Sequence, residues 1–163
     1  MATLTYRTLE EIAQEARPYP TYLLEEAETG LCLFSAAFMG HNDVIHFSLE
    51  EVKTTCVDVD QEKLNVMASL YTSPDWKFYC HDAWDFAKTA AEEEVTWDVV
   101  NVDTFRGNAT ERSLKDLTMW TQLANTAVVA TLADDVPYEV PEGWTDNLFQ
   151  RNSEVYWLVL TRV

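Results

Sequence analysis

Apolar residues in this chain form short continuous runs, and stretches with helical spacing separate those runs. Five runs have the length and continuity of strands buried on both faces, at residues 31–34, 54–59, 76–80, 97–102 and 126–132. The intervening stretches repeat apolar residues every three or four positions, which predicts helices over 43–51, 61–71, 86–94 and 110–125. Alternating strands and helices predict a doubly wound, Rossmann-like α/β sheet with helices on both faces.

The two ends of the chain depart from this alternation. The N-terminal part predicts two short helices, over 8–16 and 21–28, separated by the breaker Arg17-Pro18-Tyr19-Pro20. The C-terminal part predicts an antiparallel hairpin, with strands at 144–150 and 155–162 and a turn near 152–153. Because no linker divides the sequence, we predict one domain over residues 1–163, in which residues 1–20 are a helical extension.

The charge of the chain narrows the class of partner. Eleven Lys and Arg residues against 28 Asp and Glu residues give a formal net charge of −17. This balance argues against nucleic-acid binding, because that affinity depends on basic side chains that displace counterions from phosphates. Three readings of the charge stay open: a solubilising surface, a surface for a basic protein partner, and an imitation of nucleic acid.

The sequence predicts no association with membranes. Its longest apolar run, 127–133, is far shorter than the roughly 20 residues that span a bilayer. The first residues lack the basic start and apolar stretch of a secretory signal. We therefore expect the protein in the cytoplasm.

The cysteines and histidines do not predict a metal site. Cys32, Cys56 and Cys80 are evenly spaced by 24 residues, which fits neither zinc ligands nor a disulfide framework. Each lies in a predicted strand, so we expect buried thiols that pack as small apolar side chains. His41, His46 and His81 also lack the spacing of metal ligands. We therefore predict no bound metal.

The segment 54–64 carries the most specific chemistry, because a predicted buried strand ends there on acidic residues and leads directly into a helix. A carboxylate at the carboxyl end of a parallel strand lies where open α/β sheets bind ligands. Asp58 could accept hydrogen bonds from both hydroxyls of a ribose, which suggests a nucleoside cofactor. Asp58 could equally accept from backbone amides at the start of the next helix, and we expect Asp60 to cap that helix.

In this arrangement the chain resembles the class I methyltransferases that use S-adenosylmethionine. The resemblance covers residues 20–163 and rests on the ordered segments 22–34, 35–40, 56–62, 81–83, 100–103 and 144–163. In that family, 22–34 corresponds to the leading helix with the first strand, and 35–40 to the loop that holds the cofactor. The segment 56–62 corresponds to the strand whose end binds the ribose, and 81–83 to the position that meets the adenine. The segment 100–103 corresponds to the fourth strand, and 144–163 to the last two strands. The resemblance implies the strand order 3-2-1-4-5-7-6.

The resemblance also implies the site residues. The cofactor would contact the loop after the first strand, the end of the second strand and the turn after the third, at Ser35, Ala36, Phe38, Gly40, Asp58, Val59, Asp82 and Ala83. The carboxylate of Asp58 would bind the ribose, and Asp82 with the backbone amide of Ala83 would meet the adenine. Asp103 would be the catalytic residue, as a base or as an acceptor that orients a substrate amine.

Two functions follow from these residues. The first is S-adenosylmethionine-dependent methyl transfer to a small molecule or a protein. The second is a methyltransferase-like scaffold without catalysis, whose acidic surface binds a basic protein partner or imitates nucleic acid. This alternative is favoured by a cofactor loop whose one glycine is Gly40, by the small size of the chain and by its charge of −17. A nucleotide-binding protein of another kind has less support, because no Gly-x-Gly-x-x-Gly motif occurs.

Overall fold

Seven strands form one sheet in the order β3-β2-β1-β4-β5-β7-β6. The computed structural model describes residue 9 and residues 18–36, 40–104, 108–133, 136–150 and 155–163. The strands are β1 Thr29–Leu33, β2 Lys53–Asp58, β3 Lys77–Cys80, β4 Trp97–Val102, β5 Ala124–Ala133, β6 Trp144–Gln150 and β7 Val155–Arg162. The predicted strand order and the C-terminal hairpin are confirmed.

The first five strands are parallel, and the hairpin adds two antiparallel strands at one edge. β1 pairs in parallel with both β2 and β4, so the order reverses between β1 and β4. β7 runs antiparallel to both β5 and β6. In a sheet of this kind ligands bind outside the carboxyl ends of the strands, at the point where the order reverses. The predicted site residues follow those strand ends.

Helices cover both faces of the sheet, as the continuous apolar strands require. They are α1 Val44–Leu49, α2 Gln61–Leu70, α3 Ala83–Glu92, α4 Asn108–Lys115 and α5 Leu117–Leu123. Alternate strand residues point to opposite faces. Cys32 and Cys56 pack with residues of α1 and α2 on one face, whereas Leu31 and Val57 pack with residues of α3, α4 and α5 on the other. Each buried apolar strand residue therefore contributes to one of two cores.

The helix predicted over 21–28 is wrong. A 3-10 helix covers Thr21–Leu23, and turns follow it until β1 begins at Thr29. The Leu24 N–H donates to the Thr21 carbonyl at 2.9 Å, and the Ala27 N–H donates to the Leu24 carbonyl at 3.2 Å. Helices this short gain little from local propensity. The segment instead buries Leu24 completely, and Thr29 pairs with Lys53 to start the strand.

The single helix predicted over 110–125 is also wrong. The segment forms α4 and α5, which are interrupted at Asp116, and residues from Ala124 onward belong to β5. The Trp120 indole Nε1–H donates to the Ser113 carbonyl at 2.9 Å, and the Trp84 indole donates to the Asp116 carboxylate at 2.9 Å. One hydrogen bond across the interruption and one tertiary hydrogen bond from Trp84 thus hold the chain where the helix is interrupted.

Smaller differences concern other boundaries and one thiol. α3 begins three residues earlier than predicted, at Ala83. Cys32 and Cys56 are buried as expected, but Cys80 is exposed because β3 is an edge strand. The helix predicted over 8–16 lies outside the described residues except for Leu9, which is helical, and the turn predicted near 152–153 also lies outside them. Among the described residues, no helix has both the length and the apolar character to cross a bilayer.

Candidate functional site

The carboxylate of Asp58, at the end of β2, connects two neighbouring segments of the site. Its Oδ2 accepts the Ala36 N–H at 2.9 Å, and its Oδ1 accepts the Asp60 N–H at 3.0 Å. Ala36 belongs to the loop after β1, so Asp58 holds that loop against the second strand. A carboxylate has about four lone-pair positions, so these two bonds leave acceptor capacity for a ligand hydroxyl.

Asp60 caps the following helix, as the sequence predicts. Its Oδ1 accepts the Lys63 N–H at 3.1 Å at the start of α2. This bond satisfies one of the N–H groups that the first turn of a helix leaves without an intrahelical partner. Asp58 and Asp60 therefore have separate roles: Asp60 serves the helix, and Asp58 faces the loop after β1.

The turn after β3 lies beside the end of β2. The His81 N–H donates to the Asp58 carbonyl at 2.9 Å, so the two strand ends stay paired beyond the sheet. Asp82 caps α3, with its Oδ1 accepting the Asp85 N–H at 2.9 Å. Ala83 is the first residue of α3, and its side chain is buried whereas its N–H has no acceptor within the helix.

Val59 stands out at this point, because the side chain of this apolar residue is 69% exposed. It directly follows Asp58 and lies close to β3, since its carbonyl accepts the Cys80 thiol at 3.4 Å. We call the group Asp58, Val59, Asp82 and Ala83 the β2–β3 corner. It combines an acceptor, an exposed apolar surface, a second carboxylate and a helix N–H.

The loop after β1 begins with a strained residue. Phe34 has a φ of +58°, a left-handed conformation that bulky residues rarely adopt. The Ser35 N–H donates to the Val57 carbonyl at 3.2 Å, and both Ser35 and Ala36 are buried. The strain at Phe34 therefore turns the chain sharply so that Ser35 and Ala36 lie against β2. Phe38, the third predicted loop contact, lies outside the described residues.

Gly40 also has a left-handed conformation, with a φ of +77°. A Cβ atom at this position would lie 2.8 Å from the Cβ of Val44, the first residue of α1. The need for glycine is thus explained by the approach of the protein's own helix. This contact gives no sign of space reserved for a cofactor at Gly40.

Asp103 follows β4 at the point where the strand order reverses. Its N–H donates to the Leu33 carbonyl at 3.2 Å, which ties it to the end of β1. Its Oδ1 accepts the Thr131 hydroxyl of β5 at 3.1 Å. The side chain is only 1% exposed, so the carboxylate faces the protein between three strands.

Among the described residues, no three His, Cys, Asp or Glu side chains are placed to hold a metal ion.

Comparison with known proteins gives structural likeness only. No protein-family model matches the sequence, and no curated protein matches it. The O-methyltransferase of Bacillus cereus, solved with S-adenosylhomocysteine, superposes with a TM-score of 0.68 at 10% identity and covers 98% of this chain and 92% of its own. An rRNA methylase of Streptococcus thermophilus superposes with a TM-score of 0.60 at 10% identity and covers 99% of both chains.

The chain has the class I methyltransferase fold. This follows from the strand order together with these superpositions, which at such low identity establish the fold alone. A methyltransferase structure from Streptococcus mutans superposes with a TM-score of 0.65 at 15% identity. The match covers 86% of this chain but 46% of the longer Streptococcus mutans chain, so this chain spans less than half of that protein's length.

The methyltransferase fold contains here a buried polar chain that sequence reasoning missed. The Tyr19 hydroxyl donates to Asn101 Oδ1 at 2.8 Å, and Asn101 Nδ2 donates to Asp43 Oδ2. All three residues are buried. Burial raises the pKa of Tyr19 well above its usual value, and the charges of Cys32, Asp43 and Asp103 raise it further. Asn101 in the apolar run 97–102 was the available signal, because an amide there needs a buried partner.

Proposed function

We propose that this chain binds S-adenosylmethionine at the β2–β3 corner and transfers its methyl group to a small molecule or a protein. The exposure of Val59 carries the proposal. An apolar side chain that is 69% exposed, next to a carboxylate at the carboxyl end of a parallel strand, supports contact with a flat apolar ligand face at this position.

Each residue of the corner has a chemical task in this proposal. The free acceptor capacity of Asp58 would bind the ribose hydroxyls, while the Ala36 and Asp60 N–H groups hold the carboxylate in position. Val59 would pack against one face of the adenine. Asp82 and the N–H of Ala83 would bind polar atoms on the adenine edge. Ser35 and Ala36 would line the backbone side of the site. Phe38 and Gly40 belong to the same loop, which Gly40 brings against α1.

S-adenosylmethionine supplies an electrophilic methyl group on a sulfonium. The remaining tasks are orientation of the substrate, exclusion of water and removal of a proton if the nucleophile carries one. We assign proton removal, or the orientation of a substrate amine, to the carboxylate of Asp103. The hydrogen bond from Thr131 fixes this carboxylate, and its burial would strengthen any bond that it makes to a substrate.

The net charge supports a small-molecule or basic protein substrate. A surface with a charge of −17 repels phosphate backbones and attracts cationic proteins over long range. Although one structural neighbour is named as an rRNA methylase, this chain has only eleven basic residues with which to bind RNA.

A specific observation favours a second candidate, a scaffold without catalysis that binds a basic protein or imitates nucleic acid. Both oxygens of Asp58 already accept backbone hydrogen bonds, and Asp103 is almost fully buried. In this candidate the two carboxylates stabilise the fold, and the charge of −17 provides the binding surface.

Calorimetric titration with S-adenosylmethionine and S-adenosylhomocysteine separates the two candidates. The enzyme proposal predicts binding of both ligands, and stabilisation by about 2.7 kcal/mol at a hundredfold excess over Kd. Asp58→Asn should weaken binding at least tenfold, because its amide N–H would face N–H donors and lose acceptors for ribose. Asp75→Asn, which changes an exposed loop carboxylate, is the matched control. Absence of heat at millimolar ligand with folded protein would reject the enzyme and leave the scaffold.

A second measurement tests the role of Asp103. With a basic-protein or small-molecule acceptor, transfer of a labelled methyl group should fall at least a hundredfold in Asp103→Asn, in the range expected for loss of a general base. The affinity of Asp103→Asn for S-adenosylmethionine should stay within about twofold of that of the native protein, because Asp103 is assigned to the substrate. Equal transfer by both proteins would remove Asp103 from the chemistry.

A further inference from the structure

An open groove lies between the edge strand β3 and helix α3, on the side of the sheet opposite to Cys32 and Cys56. Helix α3 packs mainly on α5 and β2, so Tyr79 on this face of β3 stays 43% exposed. Lys77, Tyr79 and His81 are alternate residues and therefore point to this same face. The groove has a volume of about 370 Å³, within the range of small-molecule sites.

Aromatic rings form the middle of the groove. Tyr79 on the strand lies 5.7 Å from Phe86 on the helix, and Phe86 lies 6.1 Å from Trp97 at the start of β4, measured between ring centroids. Tyr79 as a residue is 43% exposed. Tyr79 and the half-buried Phe86 present an apolar surface on which another ring could lie in an offset arrangement, and the buried Trp97 packs against Phe86.

Opposite charges line one end of the groove. The chain reverses direction between β3 and α3, so Glu93 near the end of the helix lies at the same end as Lys77 at the start of the strand. Phe86, near the start of the helix, lies level with Tyr79. Within the described part of the chain, Lys77 forms no ion pair with an acidic side chain. The Cα atom of Lys77 lies two strand residues, about 6.6 Å, from the Cα atom of Tyr79.

We propose that this groove binds an aromatic amino acid as its zwitterion. The ligand ring lies on Tyr79 and Phe86, its carboxylate pairs with the Lys77 ammonium, and its ammonium pairs with the Glu93 carboxylate. Because Lys77 and Tyr79 lie two residues apart on the same face of β3, one ligand can contact both side chains. A zwitterion has no net charge, so the charge of −17, which repels simple anions, does not oppose it.

This site is separate from the proposed cofactor site. Its rings lie along the face of β3, whereas Asp58 is the last residue of β2 and Val59 follows it. The two sites adjoin at His81, which lines the groove and donates its N–H to the Asp58 carbonyl. The inference is therefore independent of methyl transfer and would stand if S-adenosylmethionine failed to bind.

The test is calorimetric titration of the full chain with four probes. L-phenylalanine should bind, and 3-phenylpropionate, phenethylamine and L-alanine, which lack the ammonium, the carboxylate and the ring respectively, should each bind at least tenfold more weakly. Lys77→Met should weaken the binding of L-phenylalanine at least tenfold and leave the affinity for phenethylamine unchanged. Glu93→Gln should weaken the binding of L-phenylalanine by a similar factor and leave the affinity for 3-phenylpropionate unchanged. Lys88→Met, at an exposed lysine of α3 outside the groove, is the control.

Three results would overturn the proposal. The first is no heat with L-phenylalanine at millimolar concentration in folded protein. The second is equal affinity for L-phenylalanine and L-alanine, which would show that the aromatic rings of the groove do not contribute to binding. The third is displacement of L-phenylalanine by S-adenosylhomocysteine with loss of binding in Asp58→Asn, which would place the ligand at the β2–β3 corner.

Discussion

His46 gives the protein a pH dependence that can be calculated from the structure. The imidazole belongs to α1 and stacks on the ring of Tyr19, with centroids 5.2 Å apart and planes 14° apart. Its Nε2 is buried and has no hydrogen-bond partner among the described residues. Burial lowers the pKa of His46 to about 4, because the charged imidazolium would lose its hydration.

The sign and size of the effect follow from linkage. An unfolded chain binds the proton with a pKa near 6.5, so protonation favours the unfolded state as the pH falls from about 6.5 to about 4. Each pKa unit corresponds to about 1.4 kcal/mol, which gives about 3 kcal/mol in total and about 2 kcal/mol by about pH 5. The folded state is thus favoured above the unfolded pKa of His46 and loses this contribution on acidification.

The assay compares free energies of unfolding in urea for the native sequence and His46→Phe at about pH 7.5 and about pH 5. Phenylalanine keeps a ring next to Tyr19 and removes the proton-binding site. The native protein should lose about 2 kcal/mol more than His46→Phe over this range, although other groups titrate in both. His81→Gln, at an exposed histidine, is the control and should follow the native protein. Identical pH dependences of the native protein and His46→Phe would refute the assignment.

Three further substitutions test the fold. Burial raises the pKa of Asp98, but hydrogen bonds from one side-chain amide and two backbone N–H groups of neighbouring segments lower it more. Asp98→Ala should therefore cost about 2 kcal/mol in urea unfolding, and this cost should shrink as the pH falls through the lowered pKa of Asp98, where the folded carboxylate takes up its proton. Gly30→Ala should cost about 1–3 kcal/mol, because its Cβ would lie 2.5 Å from the Phe47 ring, and adding Phe47→Leu should reduce the clash term in a double-mutant cycle. Asp60→Ala should cost about 1 kcal/mol through loss of the helix cap, and an unchanged melting temperature would contradict that role.

Local pattern predicted the features that depend on neighbours in sequence. The run 97–102 forms β4 with the predicted bounds, because buried strands need continuous apolar residues. Asp60 caps α2 as predicted, since a cap involves residues only three positions apart. Among the features that depend on distant residues, the strand order was predicted through the family resemblance, whereas individual tertiary contacts were mispredicted or missed. The interruption between α4 and α5 depends on the indole of Trp84, 32 positions away from Asp116 in the chain.

The candidate site divides in the same way. The acid at the end of β2 could be identified from sequence because strand ends and acidic residues are both local. Its hydrogen bond to Ala36 joins residues 22 positions apart, and the chain from Tyr19 through Asn101 to Asp43 joins segments up to 82 positions apart. No periodicity in the sequence encodes such pairs, because they exist only after the strands have been ordered in the sheet.

The amino-acid sequence by itself determined the alternation of strands and helices, the C-terminal hairpin and the acidic character, since each follows from residue type and spacing. The tertiary structure alone decided which carboxylates are buried, which aromatic rings face a groove and which apolar side chain is exposed. Val59 and Val57 are both valines of one segment, yet Val57 is fully buried and Val59 is 69% exposed. The physical reason is that burial depends on what the rest of the chain places against a residue, and only the folded sheet with its helices provides that contact.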